Sequence, residues 1–254
     1  MRLWISWLAQ SGSDKPINPT VIYFILGLLV LLVVGGVVAA WWNRRSSDAA
    51  FDRMVLRGGF EELRGQAPDI VRLMLTLYYR TLRADDRLDI HGLVRRCAQR
   101  RMDGFKVYLV QAEGGGGLPE TYASDEAAHR GVTMVVVDGL GPDLPEFLLR
   151  PSNPITRSII GSDMNALPRT TEVAKRNHVE THDRSAARAL LLHDPPRTLL
   201  ASNRHWHLDA AYGAIALHCE GHLRLARQLG RLTEDAVRIA QAFRERLAAM
   251  ETAA

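Results

Sequence analysis

The stretch VIYFILGLLVLLVVGGVVAAWW, residues 21–42, decides the architecture of this chain. Its 22 residues include no charged side chain. As an α-helix they extend about 33 Å, enough to cross the hydrocarbon core of a bilayer, which is about 30 Å thick. Because lipid offers the backbone no hydrogen-bond partners, a helix is the form in which one such segment spans a membrane. The stretch predicts a single-pass transmembrane helix.

A cleaved signal peptide is the alternative interpretation of this segment. Small residues at 38–40 would suit a signal peptidase. The apolar run is longer than the roughly 7–15 residues of a typical signal-peptide core, and the leader before it is only weakly basic. A retained membrane anchor is therefore favoured.

Basic residues flank the apolar segment unequally. Two precede it and four follow it closely: Arg2 and Lys15 before, and Arg44, Arg45, Arg53 and Arg57 after. Cytoplasmic flanks of membrane helices are enriched in lysine and arginine. The asymmetry predicts a cell-membrane protein whose large C-terminal domain lies in the cytoplasm.

Small residues recur four positions apart near the end of the segment. Gly35 and Ala39 form one pair, and Gly36 and Ala40 form the next. Small residues on one face let another membrane helix approach closely. The partners expected are therefore the lipid bilayer, a second copy of the chain bound through these four residues, and an unidentified protein.

Charge and cysteine content narrow the function classes. The chain has 32 basic and 28 acidic side chains, a net charge of +4 spread along its length. So small an excess does not call for nucleic acid as a partner, and none is predicted. The two cysteines, Cys97 and Cys219, are too few for a disulfide framework and fit a reducing compartment, although one long-range bridge remains compatible with them.

Four segments are predicted along the chain: a short tail over 1–20, the transmembrane helix over 21–42, a juxtamembrane linker over 43–67 and a soluble domain over 68–250. Within the domain, apolar periodicity and turn residues predict alternating elements. Helices are expected over 68–83 and 184–192 and from a cap at Thr233, and strands over 94–102, 105–112, 132–137, 146–150, 177–182, 205–210 and 213–219. The pattern predicts an α+β fold, an antiparallel sheet of hairpins with helices packed on one side.

The clearest hairpin is centred on Asp103 and Gly104, a pair that favours a two-residue turn. This turn places Ala98 opposite Leu109 on a face directed to the core. The other face, which carries Arg101 opposite Lys106, is expected to be mostly solvated.

Three segments resemble parts of bacterial single-pass membrane proteins of unknown function. They are VRRCAQRRMDGFKVYLVQA (94–112), VTMVVVDGLGPDLPEFLLRP (132–151) and NHVETHDRSAARALL (177–191). In that group a membrane helix precedes a cytoplasmic α+β domain, and the resemblance covers residues 90–250. It implies this architecture and assigns no catalytic residue.

A metal site is the main chemical alternative. His205 and His207 share a strand face, and the predicted hairpin brings His218 and Cys219 near them. Imidazoles and a thiolate are zinc ligands. Their spacing matches no established zinc motif, so the competing interpretation is four side chains with no common role.

A membrane-anchored interaction or regulatory module, without evident catalysis, is the function that the sequence favours. No residue is assigned to catalysis and no cofactor is expected. One alternative is a metal-dependent enzyme that uses the histidine and cysteine cluster. Another is a module that binds anionic lipid through arginines of the first hairpin, residues 95, 96, 100 and 101.

Overall fold

The computed structural model describes residues 19–81, 93–113, 131–151, 166–168, 170–202, 206–220, 223 and 225–252. By their contacts the residues form two compact units, Met1–Arg45 and Ser46–Ala254. Residues 1–18 of the predicted tail lie outside the described part of the chain. The first unit is a single apolar helix where it is described, and the second is built on a sheet.

Helix α1 (Pro19–Gly58) contains the apolar segment. From Tyr23 onward it is long and apolar enough to cross a membrane, and none of its most apolar window is buried inside the protein. Tyr23 is 75% exposed and Leu31 is 70% exposed. The prediction of one membrane-length apolar helix is confirmed, since no other helix in the described residues meets the same test.

The second unit contains one sheet of eight strands. They are β1 (Glu61–Glu62), β2 (Val94–Met102), β3 (Phe105–Ala112), β4 (Val132–Asp138), β5 (Phe147–Pro151), β6 (Asn177–Glu180), β7 (His207–Ala211) and β8 (Ala214–Glu220). Their order across the sheet is β1-β2-β3-β4-β8-β7-β5-β6, and every pairing is antiparallel. The strand β4 is central and almost wholly buried, as its continuous apolar sequence predicts.

Two tight turns fix the register of the hairpins. Asp103 and Gly104 join β2 to β3 with φ angles of 51° and 83°, and Tyr212 and Gly213 join β7 to β8 with 55° and 71°. Positive φ at both central residues defines a type I′ turn, whose twist matches that of the strands. The register predicted for the first hairpin is confirmed.

Most helices cover one face of the sheet, which we call the first face. They are the end of α1, α3 (Glu172–Arg176), α4 (Arg184–Leu191), α5 (Pro196–Ser202) and α6 (Ala226–Glu251). In the core beneath them, the rings of Phe147 on β5 and Phe243 on α6 meet edge to face, with centroids 5.9 Å apart. The predicted fold class, an α+β fold with an antiparallel sheet of hairpins and a layer of helices on one side, is confirmed.

The opposite, second face is covered over its central strands by helix α2 (Asp69–Thr81). Met74 and Tyr78 of α2 form a cluster with Cys97, Tyr108 and Val110, all of them buried. The prediction that this face of the first hairpin is mostly solvated is therefore wrong. The apolar stripe of α2 shields it from water, and the sequence pattern of the hairpin alone cannot reveal that contact.

The C-terminal helix starts eight residues earlier than predicted, since its N-terminal cap position is Leu225 and not Thr233. Thr233 was expected to cap its N-terminus, but α6 begins at Ala226 and Thr233 is buried in the interior of the helix. Its hydroxyl donates to the carbonyl oxygen of Leu229, 2.8 Å away. A threonine can satisfy its hydroxyl this way within a helix, so a cap-like residue does not by itself mark a start.

The predicted linker over residues 43–67 is largely ordered secondary structure in the described chain. Helix α1 continues through it to Gly58, and β1 follows. Phe51 and Phe60 are buried in the first-face core, and Ser47 is buried beside it. The end of α1 is therefore one of the core helices of the second unit.

Candidate functional site

Four nitrogen-bearing side chains lie in one line across the second face, and we call them the polar row: His178, Arg150, His207 and His218. Register places them on four adjacent strands. Arg150 on β5 pairs with His178 on β6, and His207 on β7 pairs with His218 on β8. The pairing of Leu149 with Leu208 sets Arg150 beside His207. The next residue in the line is the apolar Met134 on β4, which pairs with His218, so the polar side chains end at β8.

A buried carboxylate holds the row together. Asp209 is fully buried and lies two residues from His207 on the same strand face. One of its oxygens accepts from Nη1 of Arg150. Its other oxygen, Oδ2, lies 3.1 Å from Nε2 of His218, which is itself 1% exposed. Both oxygens of the carboxylate are therefore engaged by cationic or hydrogen-bonding side chains.

The charges in this cluster shift two pKa values. Burial by itself would raise the pKa of Asp209, but His218 and Arg150 outweigh burial and lower it to about 2. Burial lowers the pKa of His207 to about 3, with help from the positive charges of His218 and Arg150 and against the opposing charge of Asp209. At neutral pH Asp209 is a fixed anion and His207 is a neutral imidazole.

Aromatic side chains of helix α2 cover the inner end of the polar row. The ring of Tyr78 meets that of His218 edge to face, with centroids 4.8 Å apart, and it also packs against Tyr79. The Tyr79 hydroxyl donates to the carbonyl oxygen of Glu113, 2.6 Å away, and burial raises the Tyr79 pKa. The imidazole of His218 is thus held between Tyr78 above and Asp209 at its side.

This cluster is costly to fold. Removing a carboxylate and a guanidinium from water costs several kcal/mol per ion, which their attraction offsets only with good geometry. Apolar side chains of equal size often give a more stable core at such a place. Perturbed, mutually paired ionisable groups are concentrated at functional sites, so the polar row with Asp209 is the candidate site of this fold.

The structure brings together only part of the predicted metal set. His207 and His218 are neighbours, with ring centroids 5.2 Å apart. Cys219 follows His218 in β8, so its side chain belongs to the other face of the sheet. His205 lies outside the described residues. Within the described chain no group of three or more histidine, cysteine or acidic side chains is placed to hold a metal ion, and the four-residue metal site stays a prediction.

Arg95 and Arg96, two of the four β2 arginines predicted to bind lipid in one alternative, make contacts within the second unit. Arg95 pairs with Asp48 of α1. Arg96 lies 2.7 Å from Asp52 and stacks over the ring of Phe51, 4.4 Å from its centroid. These contacts fasten the end of α1 to the sheet, which is an internal role for the charges.

A separate cleft of about 580 Å³ lies where β4 and the β7–β8 hairpin end. Asp138, Glu146, Leu144 and Tyr212 line it together with the glycine-rich turn between β4 and β5. Tyr212 is 52% exposed. Two carboxyl groups beside an exposed aromatic ring make this surface complementary to a cationic group.

Sequence reasoning missed Arg150, Asp209 and Tyr78. The signal for Asp209 was its position two residues after His207 in an otherwise apolar strand, which puts both on one face. Arg150 had no comparable signal, because it meets Asp209 only through the pairing of β5 with β7, strands 59 residues apart at this contact.

Comparison of the chain with protein-family models, curated proteins and solved structures gave no match. The resemblance to bacterial single-pass membrane proteins therefore stays a prediction.

Proposed function

We propose that this chain is a membrane-anchored interaction or regulatory module, with its folded unit in the cytoplasm, and that it acts through protein contacts rather than catalysis. One observation carries the proposal. An apolar helix of membrane-spanning length has none of the described chain packed around its most apolar stretch, and it leads into a unit with a core of its own.

The anchor is supported by the exposure of its side chains. Fully burying one large aliphatic or aromatic side chain is worth about 1.5–3 kcal/mol, and α1 presents many of them with more than half of their surface exposed. A bilayer is the surrounding that recovers this free energy. Trp41 and Trp42 suit the headgroup level at its end, where the guanidinium of Arg45 stacks over Trp41, 5.2 Å from the ring centroid.

Orientation is inferred from charge. Arg44 and Arg45 lie two and three residues after the apolar segment and are exposed. The N-terminal flank has only Arg2 and Lys15. By the positive-inside preference, the second unit is placed in the cytoplasm of the cell.

The two cysteines support a function without thiol catalysis. Burial raises the pKa of the Cys97 thiol to about 12, so it is not a thiolate at neutral pH. Cys219 lies on the sheet face opposite His218, the histidine nearest to it in sequence.

The cleft beside Tyr212 instead offers a surface that a basic side chain of a partner protein can enter.

Self-association in the bilayer is part of the proposal. Within the described chain, a Cβ built at Gly35 or Gly36 would meet no atom within 4 Å outside the backbone of its own helix, which leaves room for a neighbouring helix on this side of α1. Ala39, four residues after Gly35, extends the same small-residue face.

Extraction of cell membranes with alkaline carbonate tests the anchor. The full chain is expected to stay in the membrane pellet. The double variant Leu29→Arg, Val33→Arg places two charges at the centre of the span, at a cost of about 5–7 kcal/mol for insertion, and should appear in the supernatant or fail to insert. The matched control Leu29→Ala, Val33→Ala keeps the span apolar and should remain in the pellet.

Complete extraction of the unmodified chain would contradict the anchor. The non-catalytic part of the proposal would be overturned separately by a turnover activity of the purified full chain that a single substitution in the polar row abolishes. For the polar-row variants, expression at the normal level and an unchanged tryptophan emission spectrum show that the comparison concerns folded protein.

A further inference from the structure

The cleft beside Tyr212 has walls that backbone contacts hold in place. The turn at Tyr212 and Gly213 and the loop over residues 139–146 both line it. The amide of Leu140 in this loop donates to the carbonyl oxygen of Gly213, 2.9 Å away. A Cβ built at Gly213 would lie 2.8 Å from the carbonyl oxygen of Gly141, so turn and loop are in backbone contact there. The cleft of about 580 Å³ is therefore formed without a ligand.

The lining of the cleft carries negative charge that is accessible to solvent. Asp138 and Glu146 are the charged residues that line it, the first half-buried and the second exposed. Neither carboxylate has an ion-pair or side-chain hydrogen-bond partner in the described chain. Lys106 lies opposite Asp138 on β3, but it is exposed and forms no ion pair with that carboxylate among the described residues. A cation that enters the cleft thus finds two carboxylates available to it.

Tyr212 places an aromatic ring beside these carboxylates in an unfavourable backbone conformation. Its φ of 55° lies in the left-handed region, which glycine and asparagine adopt more readily than a bulky side chain. Tyr212 is also 52% exposed, so packing in the core does not compensate for this conformation. The face of an aromatic ring attracts cations. Contact with a cationic ligand therefore accounts for a tyrosine at a position where the turn itself favours another residue.

The strand order sets the two carboxylates on either side of Tyr212. Asp138 pairs with Ala214 on β8, and Ala214 pairs with Ala211 on β7. Continued by one residue, the pairing of β5 with β7 sets Glu146 beside Ala211. The Cα atoms of Asp138 and Glu146 are therefore three strand spacings apart, roughly 14 Å. This gap, less the lengths of the two acidic side chains, has room for one cationic group at the turn.

We propose that the cleft beside Tyr212 binds an arginine side chain of a partner protein. The inference rests on the proposed function, in which the second unit acts through protein contacts. A planar guanidinium has N–H donors on several edges for the two carboxylates, and its face stacks on aromatic rings. A lysine ammonium offers no such flat face.

Fluorescence anisotropy of a labelled peptide, titrated with the full chain in discs of zwitterionic lipid, tests the site. The probe is a short blocked peptide with one arginine among glycines and serines. The matched peptide has citrulline in its place, which is neutral and similar in shape, and should bind at least roughly fivefold more weakly. Asp138→Asn and Glu146→Gln should each weaken binding of the arginine peptide roughly two- to fivefold. Glu234→Gln on α6 removes the same charge from an exposed residue outside the cleft and should leave binding unchanged.

The variant Tyr212→Asn separates a binding role of the ring from a structural one. Asparagine favours the φ of this turn, so the urea midpoint of the full chain should equal or exceed that of the wild type. Loss of the ring should still weaken peptide binding roughly two- to fivefold. A lower midpoint, or unchanged binding, would overturn the role of the ring at the site.

Three results would overturn the arginine site. They are no binding of the arginine peptide, binding equal to that of the citrulline peptide, and binding that the double variant Asp138→Asn, Glu146→Gln retains. Methylguanidinium that binds as tightly as the peptide would overturn the protein partner, because the cleft would then be a site for a small cation. A chain that resists carbonate extraction and shows no turnover, but fails these tests, would refute the arginine site alone and leave the membrane-anchored module standing.

Discussion

Replacing His207 by glutamine should remove a large part of the acid sensitivity of the folded unit. The imidazole lies in the polar row, where burial and the positive charges of His218 and Arg150 lower its pKa from 6.5 to about 3. Protonation of His207 is therefore less favourable in the folded state than in the unfolded state. Glutamine preserves a polar side chain of similar reach and has no such proton to take up.

The magnitude follows from the linkage between proton binding and folding. Because the folded pKa lies below the unfolded pKa, stability is complete above about pH 6.5 and falls as the pH decreases towards 3. Each pH unit in this window costs about 1.4 kcal/mol. Between about pH 7.5 and about pH 5 the wild type should lose about 2 kcal/mol through His207 alone. Asp209, with a pKa of about 2, stays ionised throughout that range.

The assay is urea denaturation of residues 46–254, the second compact unit, at the two pH values. Trp206 is the single tryptophan of this fragment and donates to Asp235 Oδ2, 3.0 Å away, so its fluorescence reports on the contact with α6. The difference between wild type and His207→Gln cancels the titrating groups that lie far from His207. His182→Gln should follow the wild type. If the stabilities of wild type and His207→Gln changed in parallel with pH, the inferred burial of a neutral imidazole would be refuted.

Three substitutions test other parts of the fold in the same assay. Asp209→Asn keeps the shape of the side chain but leaves the guanidinium of Arg150 without its counter-charge. The free energy of unfolding at neutral pH should therefore fall by about 3–5 kcal/mol. A loss below about 1 kcal/mol would show that the pair is solvated. In Gly213→Ala the new residue must adopt a φ of 71°, and its Cβ would lie 2.8 Å from the carbonyl oxygen of Gly141. The free energy of unfolding should therefore fall by about 1–3 kcal/mol. An unchanged urea midpoint would contradict this turn geometry. Phe243→Ala should cost about 3–5 kcal/mol because its ring is fully buried under the sheet, and a smaller loss than that of an exposed alanine substitution on α6 would contradict this packing.

Features governed by neighbours in the chain could be predicted from the sequence. The turn at Asp103 and Gly104 needs positive φ at two successive residues, a local requirement that their chemistry reveals. Asp183 directly precedes the helix predicted over 184–192, a position where aspartate favours a cap, and its carboxylate accepts from the amide of Ala186 at 2.9 Å. The apolar segment in α1 is equally local, since length and composition suffice to define it.

Features governed by distant contacts could not. Whether Cys97 and Tyr108 meet water depends on α2, a separate helix that ends at Thr81 and packs on their face. The candidate site is a stronger case, because Arg150 and Asp209 are brought together by strand pairing and neither carries a motif. His207 and His218 could be paired from the predicted hairpin, and this pairing is the part of the metal prediction that the structure contains.

The central claim about function is that the second unit lies on the cytoplasmic side of the membrane. Paired fusions after Ala254, in a bacterial host with an inner membrane, measure it directly. One fusion carries a phosphatase that is active only outside the cytoplasm, and the other a fluorescent protein that matures only inside it. We expect fluorescent cells and inactive phosphatase, because Arg44 and Arg45 hold their end of the span at the cytoplasmic surface. Active phosphatase with no fluorescence would contradict the account and place the polar row outside the cytoplasm.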